Sequence, residues 1–319
     1  MGIVSRRDID AAAARIEGRV RRTPVIHLEA RAFGLDAEIA LKLELFQHTG
    51  SFKPRGAFNR ILSAKVPEAG VITASGGNHG QAVAYASKVL GIDAEIFVPE
   101  GSPPLKAERI RRYGAAVTVV GQYYDDAMEA CRERAVQTGA LLIHPYDHPE
   151  VVAGQGTVGR EMEEQLPDID TVLVAVGGGG LAAGVAAWYR SERRVVTVEP
   201  EGCAALAGAL DAGHPVEVSV GGIAADSLGA RKIGDVPFAI ARRHVAAAVL
   251  VSDDAIIDAR RQLWDSLRIV AEPGGVASLA ALLSGAYVPA PGERVAVIIC
   301  GGNTASVPES PLPGSEGVA

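Results

Sequence analysis

The first feature of the chain with chemical potential is a lysine at a predicted helix start, within the segment SFKPRGA at residues 51–57. Ser51 is a favourable N-cap residue, and Pro54 has the fixed φ of a first-turn residue, so a helix is predicted to begin here. Lys53 then faces the positive end of the helix dipole, and Arg55 adds a second cation. Both effects lower the pKa of the lysine ammonium group. Because a neutral amine is a nucleophile and a base, the segment predicts a reactive lysine.

A run of glycines, Gly177 to Gly180, joins a predicted strand to a predicted helix. Such a turn presents backbone N–H groups at a helix N-terminus and predicts a phosphate site. The lysine of a nucleoside triphosphate loop is missing, which excludes that class. A dinucleotide site stays open at this point, because Gly177, Gly179 and Ala182 fit a loose G-x-G-x-x-A pattern. Glu199 also ends the next predicted strand, about where a ribose-binding acid would lie.

Two further turns carry polar groups. The segment SGGNHG at 75–80 lies between a predicted strand and helix, and it combines polar side chains with free N–H groups. It predicts a carboxylate site, although an Asn-containing turn with a capped helix would have the same composition. The segment CGGN at 300–303 follows an apolar strand. Cys300 therefore falls where α/β folds bind ligands, although a single cysteine also fits a core position.

Composition narrows the class of partner. The 319 residues carry a net charge of −7, and their Lys and Arg residues are scattered, which argues against nucleic acid and anionic membrane surfaces. No apolar run approaches the ~20 residues of a membrane span, and no signal peptide is visible. We therefore expect a cytoplasmic protein with a small-molecule partner. Three widely separated cysteines predict reduced thiols and neither a disulfide nor a zinc framework.

Short β-branched runs alternate with Ala- and Leu-rich stretches, which predicts an α/β fold. The runs are apolar throughout, as is typical of parallel strands covered on both faces. Strands are predicted at Val71–Ala74, Ala94–Val98, Ala116–Val120, Thr171–Val176, Val195–Val198, Ala247–Val251 and Val295–Ile299. Helices are predicted at Gly80–Leu90, Pro104–Tyr113, Tyr124–Gln137, Val151–Gln165, Leu181–Tyr189, Asp254–Leu267 and Gly275–Leu283. The residues from about Val307 onward predict a loose tail.

Taken together, the motifs resemble one family, the fold-type II pyridoxal-phosphate enzymes, and within it the serine/threonine dehydratase and serine racemase branch. The resemblance covers nearly the whole chain. The motifs that carry it, in family order, are Lys42 to Glu44, Thr49 to Ala57, Ser75 to Gln81, Gln155 to Thr157, Gly177 to Leu181, Val198 to Pro200, Glu272-Pro273 and Cys300 to Asn303.

This resemblance implies a fold like that of the tryptophan synthase β subunit, with two doubly wound parallel-sheet domains and the cofactor between them. The larger domain would comprise residues 1–43 and 145–319, and a smaller inserted α/β domain would comprise 44–144. A homodimer is expected from kinship. The implied activity is removal of water from L-threonine, L-serine or a related β-hydroxy amino acid, which gives a 2-oxo acid and ammonia.

The resemblance also implies residue roles. Lys53 would form the Schiff base with pyridoxal phosphate and act as the catalytic base. Cys300 would face the pyridine nitrogen, where a neutral thiol cannot force a proton onto the ring, and this favours elimination over transamination. The cofactor would be bound by Phe52, Lys53, Asn78, Gly177, Gly178, Gly179, Gly180, Leu181, Glu272 and Cys300. The substrate carboxylate would be bound by Ser75, Gly76, Gly77, Asn78 and His79.

Three departures from the family pattern refine the expectation. Gly76 replaces the serine that acts as an acid in racemases, which favours a dehydratase over a serine racemase. Ala205 replaces the second acid of a metal site at Glu199, so no metal of the family type is expected. Ser227 stands where the family has glycine and narrows the predicted pocket. The alternatives kept are a racemase and a non-catalytic protein that binds pyridoxal phosphate or a dinucleotide.

Overall fold

The computed structural model describes residues 4–29, 31–102 and 104–308, and within them two parallel sheets are covered by helices. The strands are β1 Val25–His27, β2 Glu38–Leu43, β3 Val71–Ala74, β4 Ala94–Val98, β5 Ala116–Val119, β6 Leu141–Leu142, β7 Thr171–Ala175, β8 Arg194–Pro200, β9 Ala247–Val251 and β10 Arg294–Ile299. The helices are α1 Arg6–Ile16, α2 Lys53–Leu62, α3 Asn78–Leu90, α4 Pro104–Arg111, α5 Tyr124–Thr138, α6 Pro149–Gln165, α7 Gly180–Tyr189, α8 Ala205–Ala212, α9 Ala225–Leu228, α10 Asp235–His244, α11 Asp253–Leu267 and α12 Pro273–Leu283.

The larger sheet has six strands in the order β1-β2-β10-β7-β8-β9. Its strands are parallel except that β1 runs antiparallel to β2, with Val25 opposite Lys42. Helices α7 and α12 both pack on β7 and β8. Every residue of β7 is buried, as expected for a strand with both faces covered. The fold class predicted from the sequence is therefore confirmed.

The smaller sheet has four parallel strands in the order β5-β4-β3-β6. All of its strands lie between Val71 and Leu142, so the sheet falls inside the segment 44–144 predicted as the inserted domain. The precise domain boundaries stay a prediction. Because the carboxyl end of β3 leads directly into the Ser75 turn, this sheet positions the second glycine-rich segment.

Every strand and helix predicted from the sequence is present, with ends that differ by no more than two residues. The prediction missed β1, β2, β6 and the helices α1, α8, α9 and α10. The predicted tail lies almost entirely outside the described residues. Within the described part of the chain, no helix combines the length and apolar character that crossing a membrane requires.

A buried cluster of charges fixes α2 to the larger sheet. Arg55 on α2 donates to Glu44 through Nε at 2.8 Å and Nη2 at 2.7 Å, and it pairs with Glu161 of α6 at 2.9 Å. Glu161 also accepts from Nζ of Lys42 on β2 at 2.5 Å. The guanidinium of Arg55 is thus committed to this cluster. The ion pairs of Arg55 with Glu44 and Glu161 therefore hold the helix that begins at Lys53 in place.

Candidate active site

Lys53 is the first residue of α2, and its amine has a single hydrogen-bond partner among the described residues. Nζ donates to the carbonyl oxygen of Pro145 at 3.0 Å. Burial lowers the pKa of Lys53 to about 8, although Cys300 and Glu272 partly offset the shift. The predicted direction is confirmed, but its cause is corrected. Desolvation dominates, and Arg55 is paired elsewhere.

The predicted N-cap at Ser51 is wrong. The N-cap residue is Phe52, and no side chain caps the helix. Ser51 is instead extended and forms an isolated bridge with Gly301, while the Phe52 amide donates to the Cys300 carbonyl at 3.2 Å. This long-range pairing delays the helix by one residue. It also places Lys53 directly beside the Cys300 loop.

The glycine run forms a cradle that side chains would block. A Cβ added at Gly178 would clash with the ring of Tyr146, and one at Gly179 would lie 2.5 Å from Ile233. Gly179 also has a φ of +92°, in the left-handed region that favours glycine. Since Gly180 begins α7, the free N–H groups of the helix N-terminus stand at this turn. The loop therefore fits a phosphate group.

Asn78 and Glu272 both line the cavity and are hydrogen-bonded to each other. Asn78, the first residue of α3, donates from Nδ2 to Glu272 Oε1 at 2.6 Å. Glu272 is buried, and burial raises its pKa to about 7 although the Asn78 hydrogen bond acts in the opposite direction. The carboxyl group can therefore hold or release a proton near neutral pH.

All the residues predicted to bind the cofactor line a single cavity, and their individual roles stay predictions. They are Phe52, Lys53, Asn78, Gly177, Gly178, Gly179, Gly180, Leu181, Glu272 and Cys300. Burial raises the pKa of the Cys300 thiol to about 12, so the thiol stays neutral, and its Sγ lies 3.6 Å from the Gly274 carbonyl oxygen. These features fit pyridoxal phosphate, which needs an amine, a phosphate cradle and a group at its pyridine nitrogen.

Sequence reasoning missed several lining residues. Tyr146, Ala175, Leu228 and Gly274 also line the cavity, together with Ser227, which the sequence had singled out. Tyr146 covers the glycine loop and donates from its hydroxyl to the Lys232 carbonyl at 3.3 Å. The spacing of the chain carries no signal for this contact, because Tyr146 lies in an irregular segment far from the glycines in sequence.

The predicted carboxylate-binding turn lies between β3 and α3, and of its residues Asn78 lines the cavity. The Gly77 amide donates to Ser75 Oγ at 3.2 Å. A Cβ added at Gly76 would lie 2.8 Å from Ser102 Oγ, so that hydroxyl occupies the space of the missing side chain.

The side chain of His79 is engaged by the smaller sheet. The ring is buried, and its Nε2 contacts Thr73 Oγ1 and the Ile143 carbonyl oxygen, both at 3.0 Å. Burial, with help from Lys53, lowers the pKa of His79 to about 3. The neutral imidazole therefore ties α3 to the smaller sheet. Only the backbone of His79 remains for a substrate carboxylate.

Glu199 lies on β8, and its carboxylate is occupied by backbone amides. Its two carboxylate oxygens accept from the amides of Leu206 at 2.7 Å and Ala207 at 2.8 Å in the first turn of α8. Burial raises its pKa to about 7. Both oxygens are thus engaged by a helix N-terminus, which argues against the ribose contact that a dinucleotide site requires.

Comparison with known proteins agrees with this geometry. The sequence profile of the family described as "Pyridoxal-phosphate dependent enzyme" matches residues 16–301. L-threonine ammonia-lyase from Thermotoga maritima is 38% identical over 94% of this chain and 76% of its own length. The structure of maize serine racemase superposes with a TM-score of 0.89 at 35% identity, over 95% of this chain and 94% of that one. Processed threonine deaminase isoform 2 from Solanum lycopersicum superposes with a TM-score of 0.85 at 32% identity, over 93% of this chain and 88% of that one. The chain therefore belongs to the pyridoxal-phosphate dependent enzymes of fold type II.

Proposed function

We propose that the protein is an ammonia-lyase that removes water from L-threonine, L-serine or a related β-hydroxy amino acid. The observation that carries the proposal is the Lys53 amine, which lies in one cavity with a phosphate cradle and a neutral thiol. The relative from Thermotoga maritima, named for L-threonine ammonia-lyase activity, supports the same substrate class. The products are a 2-oxo acid and ammonia.

The proposal gives specific residues a role in each step. Pyridoxal phosphate, when bound, supplies the electron sink that makes the Cα proton of an amino acid acidic. Lys53 holds the cofactor and then accepts that proton through its neutral amine, which a pKa of about 8 makes available near neutral pH. The amides of the Ser75 turn would orient the substrate carboxylate, and Phe52, which lines the cavity, would pack against the cofactor ring. The β-hydroxyl would leave as water, with a proton that balances the one Lys53 takes from Cα, and the released enamine would react with water to give the 2-oxo acid and ammonia.

Cys300 favours this outcome over amino-group transfer. Because its thiol is neutral and buried, Cys300 could donate a weak hydrogen bond to the pyridine nitrogen of a bound cofactor. It could not stabilise a protonated, positively charged pyridine nitrogen as a carboxylate would. A neutral thiol at that place would leave the bound cofactor a weaker electron sink, which would favour loss of the β-substituent over amino-group transfer.

A serine racemase is the second candidate, and one contact favours it. Racemisation needs an acid on the face of the substrate opposite the lysine, and Gly76 has no such group. The Ser102 hydroxyl stands where that side chain would be, at 2.8 Å from the ideal Cβ position. Ser102, which is not among the residues that line the cavity, would have to reach the substrate from beside Gly76 to act as that acid.

A panel assay separates the two candidates. Purified protein supplemented with pyridoxal phosphate is given L-threonine, L-serine and larger β-hydroxy amino acids, and both 2-oxo acid and D-amino acid are measured. We expect 2-oxo acid to form faster than D-serine, and none with Lys53→Ala. Faster D-serine formation that Ser102→Ala abolishes would assign the racemase instead. Ser227→Gly, which removes a side chain that lines the cavity, should extend the reaction toward larger substrates.

The cellular location and the oligomeric state are also proposals. We place it in the cytoplasm as a homodimer, and the family resemblance supports both assignments. Light scattering after size-exclusion chromatography tests the dimer directly.

A further inference from the structure

Asn303, in the loop after β10, joins two segments of the site through one amide nitrogen. Its Nδ2 donates to the Thr49 carbonyl oxygen at 2.6 Å and to Asn78 Oδ1 at 2.6 Å. A carbonyl oxygen can only accept, so the Thr49 contact requires that the NH₂ group of Asn303, and not its Oδ1, face this way. The backbone thus determines the orientation of the Asn303 amide.

That orientation passes to Asn78. Because Asn303 offers only N–H groups on this side, Asn78 must present Oδ1 to it, and Nδ2 of Asn78 must point the other way. Nδ2 donates to Glu272 Oε1 at 2.6 Å. It has two hydrogens, and this bond uses one. The second is left for a ligand in the cavity that Asn78 lines.

The chain around Asn303 is shaped to fit it. Thr49 and Gly50 have consecutive positive φ values of 62° and 75°, which turn the Thr49 carbonyl toward the amide. A Cβ at Gly50 would lie 2.9 Å from Asn303 Oδ1, and Gly302 donates to the Gly50 carbonyl at 2.9 Å. A left-handed threonine is an unfavourable backbone state, which proteins retain mainly where the surrounding structure depends on it.

We propose that Asn303 is a positioning residue that fixes the amide of Asn78, so that an N–H and not a C=O faces Glu272 and the phenolic oxygen of bound pyridoxal phosphate. This inference rests on the proposed function for the contact between Asn78 and the cofactor. Its physical basis is that a donor stabilises an anionic oxygen, whereas a carbonyl oxygen in the same place repels it. Asn303 acts entirely through Asn78.

Asn303→Asp is the sharpest test, because it keeps the shape and replaces the donor with an acceptor. Asn78 is then expected to turn its NH₂ toward the new carboxylate and present Oδ1 to Glu272 and the cofactor. In the pyridoxal-phosphate-loaded enzyme, the pH midpoint of the cofactor absorption band should move by about one unit or more. The kcat should fall about tenfold or more, with KM within about threefold.

A second readout needs no cofactor. In cofactor-free protein, NMR titration of the Glu272 carboxyl group should give a higher pKa in Asn303→Asp than in the wild type, because the donor from Asn78 is lost. The other charges that act on Glu272, namely Asp226, Lys106, Arg109 and Lys53, are unchanged in the variant. A carboxylate at position 303 also raises this pKa by direct charge repulsion, so the inference requires that the neutral variant Asn303→Ala move the Glu272 titration in the same direction.

The matched control is Thr304→Ala in the same loop, where Thr304 Oγ1 contacts Ser306 Oγ at 3.1 Å. It should reproduce both wild-type titrations. Asn303→Ala removes the two bonds without adding charge, so its titration separates loss of the Asn78 orientation from direct charge repulsion. Circular dichroism checks that both variants fold. The inference is overturned if folded Asn303→Ala matches Thr304→Ala in both titrations. If the wild-type protein takes up no cofactor on Lys53, the proposed function is contradicted. The Glu272 titration uses cofactor-free protein, so it tests the role of Asn303 in that case too.

Discussion

Among the described residues, the amines of Lys42 and Lys53 are both enclosed, but they differ in how many hydrogen-bond partners they have. Lys42 Nζ donates to the Thr23 carbonyl at 2.9 Å, to Glu161 at 2.5 Å and to Gln165 at 2.6 Å, and its side chain is 0% exposed. Lys53 Nζ donates to one backbone carbonyl at 3.0 Å. The three N–H groups of the Lys42 ammonium thus each have an acceptor. The Lys53 amine has one acceptor, so the rest of its hydrogen-bonding capacity is available to a ligand.

The surroundings explain the difference in reactivity. Burial lowers the pKa of both lysines, but at Lys42 the carboxylates of Glu44 and Glu161 oppose that shift. The groups that face Lys53 are Cys300, whose thiol is neutral because its pKa is raised to about 12, and Glu272, whose pKa is raised to about 7. A buried lysine becomes reactive here because no firmly ionised carboxylate is placed against it.

Replacement of Lys42 should give the largest change in stability. Lys42→Met leaves Glu161 buried with Arg55 as its remaining cation, and removing one member of a buried ion cluster costs about 3–5 kcal/mol. We expect the free energy of unfolding of cofactor-free protein to fall by that amount in urea titrations at pH 7. A loss below about 1 kcal/mol would show that the cluster does not depend on this lysine.

Replacement of Lys53 should act in the opposite direction. The folded protein disfavours the Lys53 ammonium, so Lys53→Met is expected to stabilise cofactor-free protein by about 1–3 kcal/mol at pH 7 while activity is lost. Its folded pKa, about 8, lies below the ordinary 10.5, so between these values the unfolded wild type binds more protons and wild-type stability rises with pH.

The stabilisation by Lys53→Met should therefore fade between pH 8 and pH 10.5, which urea titrations at several pH values would detect. A gain that is constant with pH would indicate better packing by methionine rather than relief of a buried charge. A loss of stability at pH 7 would contradict the comparison outright.

A third lysine gives the smallest expected effect. Lys106 pairs with Asp226, whose side chain is 65% exposed, and exposed pairs contribute about 0–1 kcal/mol. Lys106→Ala should therefore change the free energy of unfolding by less than about 1 kcal/mol. The matched control is Arg112→Ala, which breaks the exposed pair with Glu108 at 2.7 Å. A fall in the free energy of unfolding for Lys106→Ala well above that of the control would show that the Lys106–Asp226 pair stabilises the fold.

Local pattern was sufficient to predict most of the sheet strands and the cavity lining. The Lys53 segment, the glycine run and Cys300 each sit at the end of a predicted element, so motif and element together located them. Strand β2 was missed because Lys42 interrupts its apolar run. The partner that makes Lys42 acceptable, Glu161, lies on α6 and far away in the sequence.

Other misses share that cause. Ser51 was predicted to cap α2 but instead forms a bridge with Gly301. Arg55 was expected to act on Lys53 but pairs with Glu44. In each case a contact between distant segments overrode a choice that was reasonable locally. Such contacts become visible only when both sheets are assembled.

The most direct test of the contrast between the lysines is hydride trapping. Protein loaded with pyridoxal phosphate is reduced with borohydride, digested, and its peptides are analysed by mass spectrometry. We predict the cofactor adduct on Lys53 and unmodified Lys42 in the same digest. An adduct on another lysine with Lys53 unmodified, or no adduct at all, would contradict the assignment of Lys53 as the reactive amine.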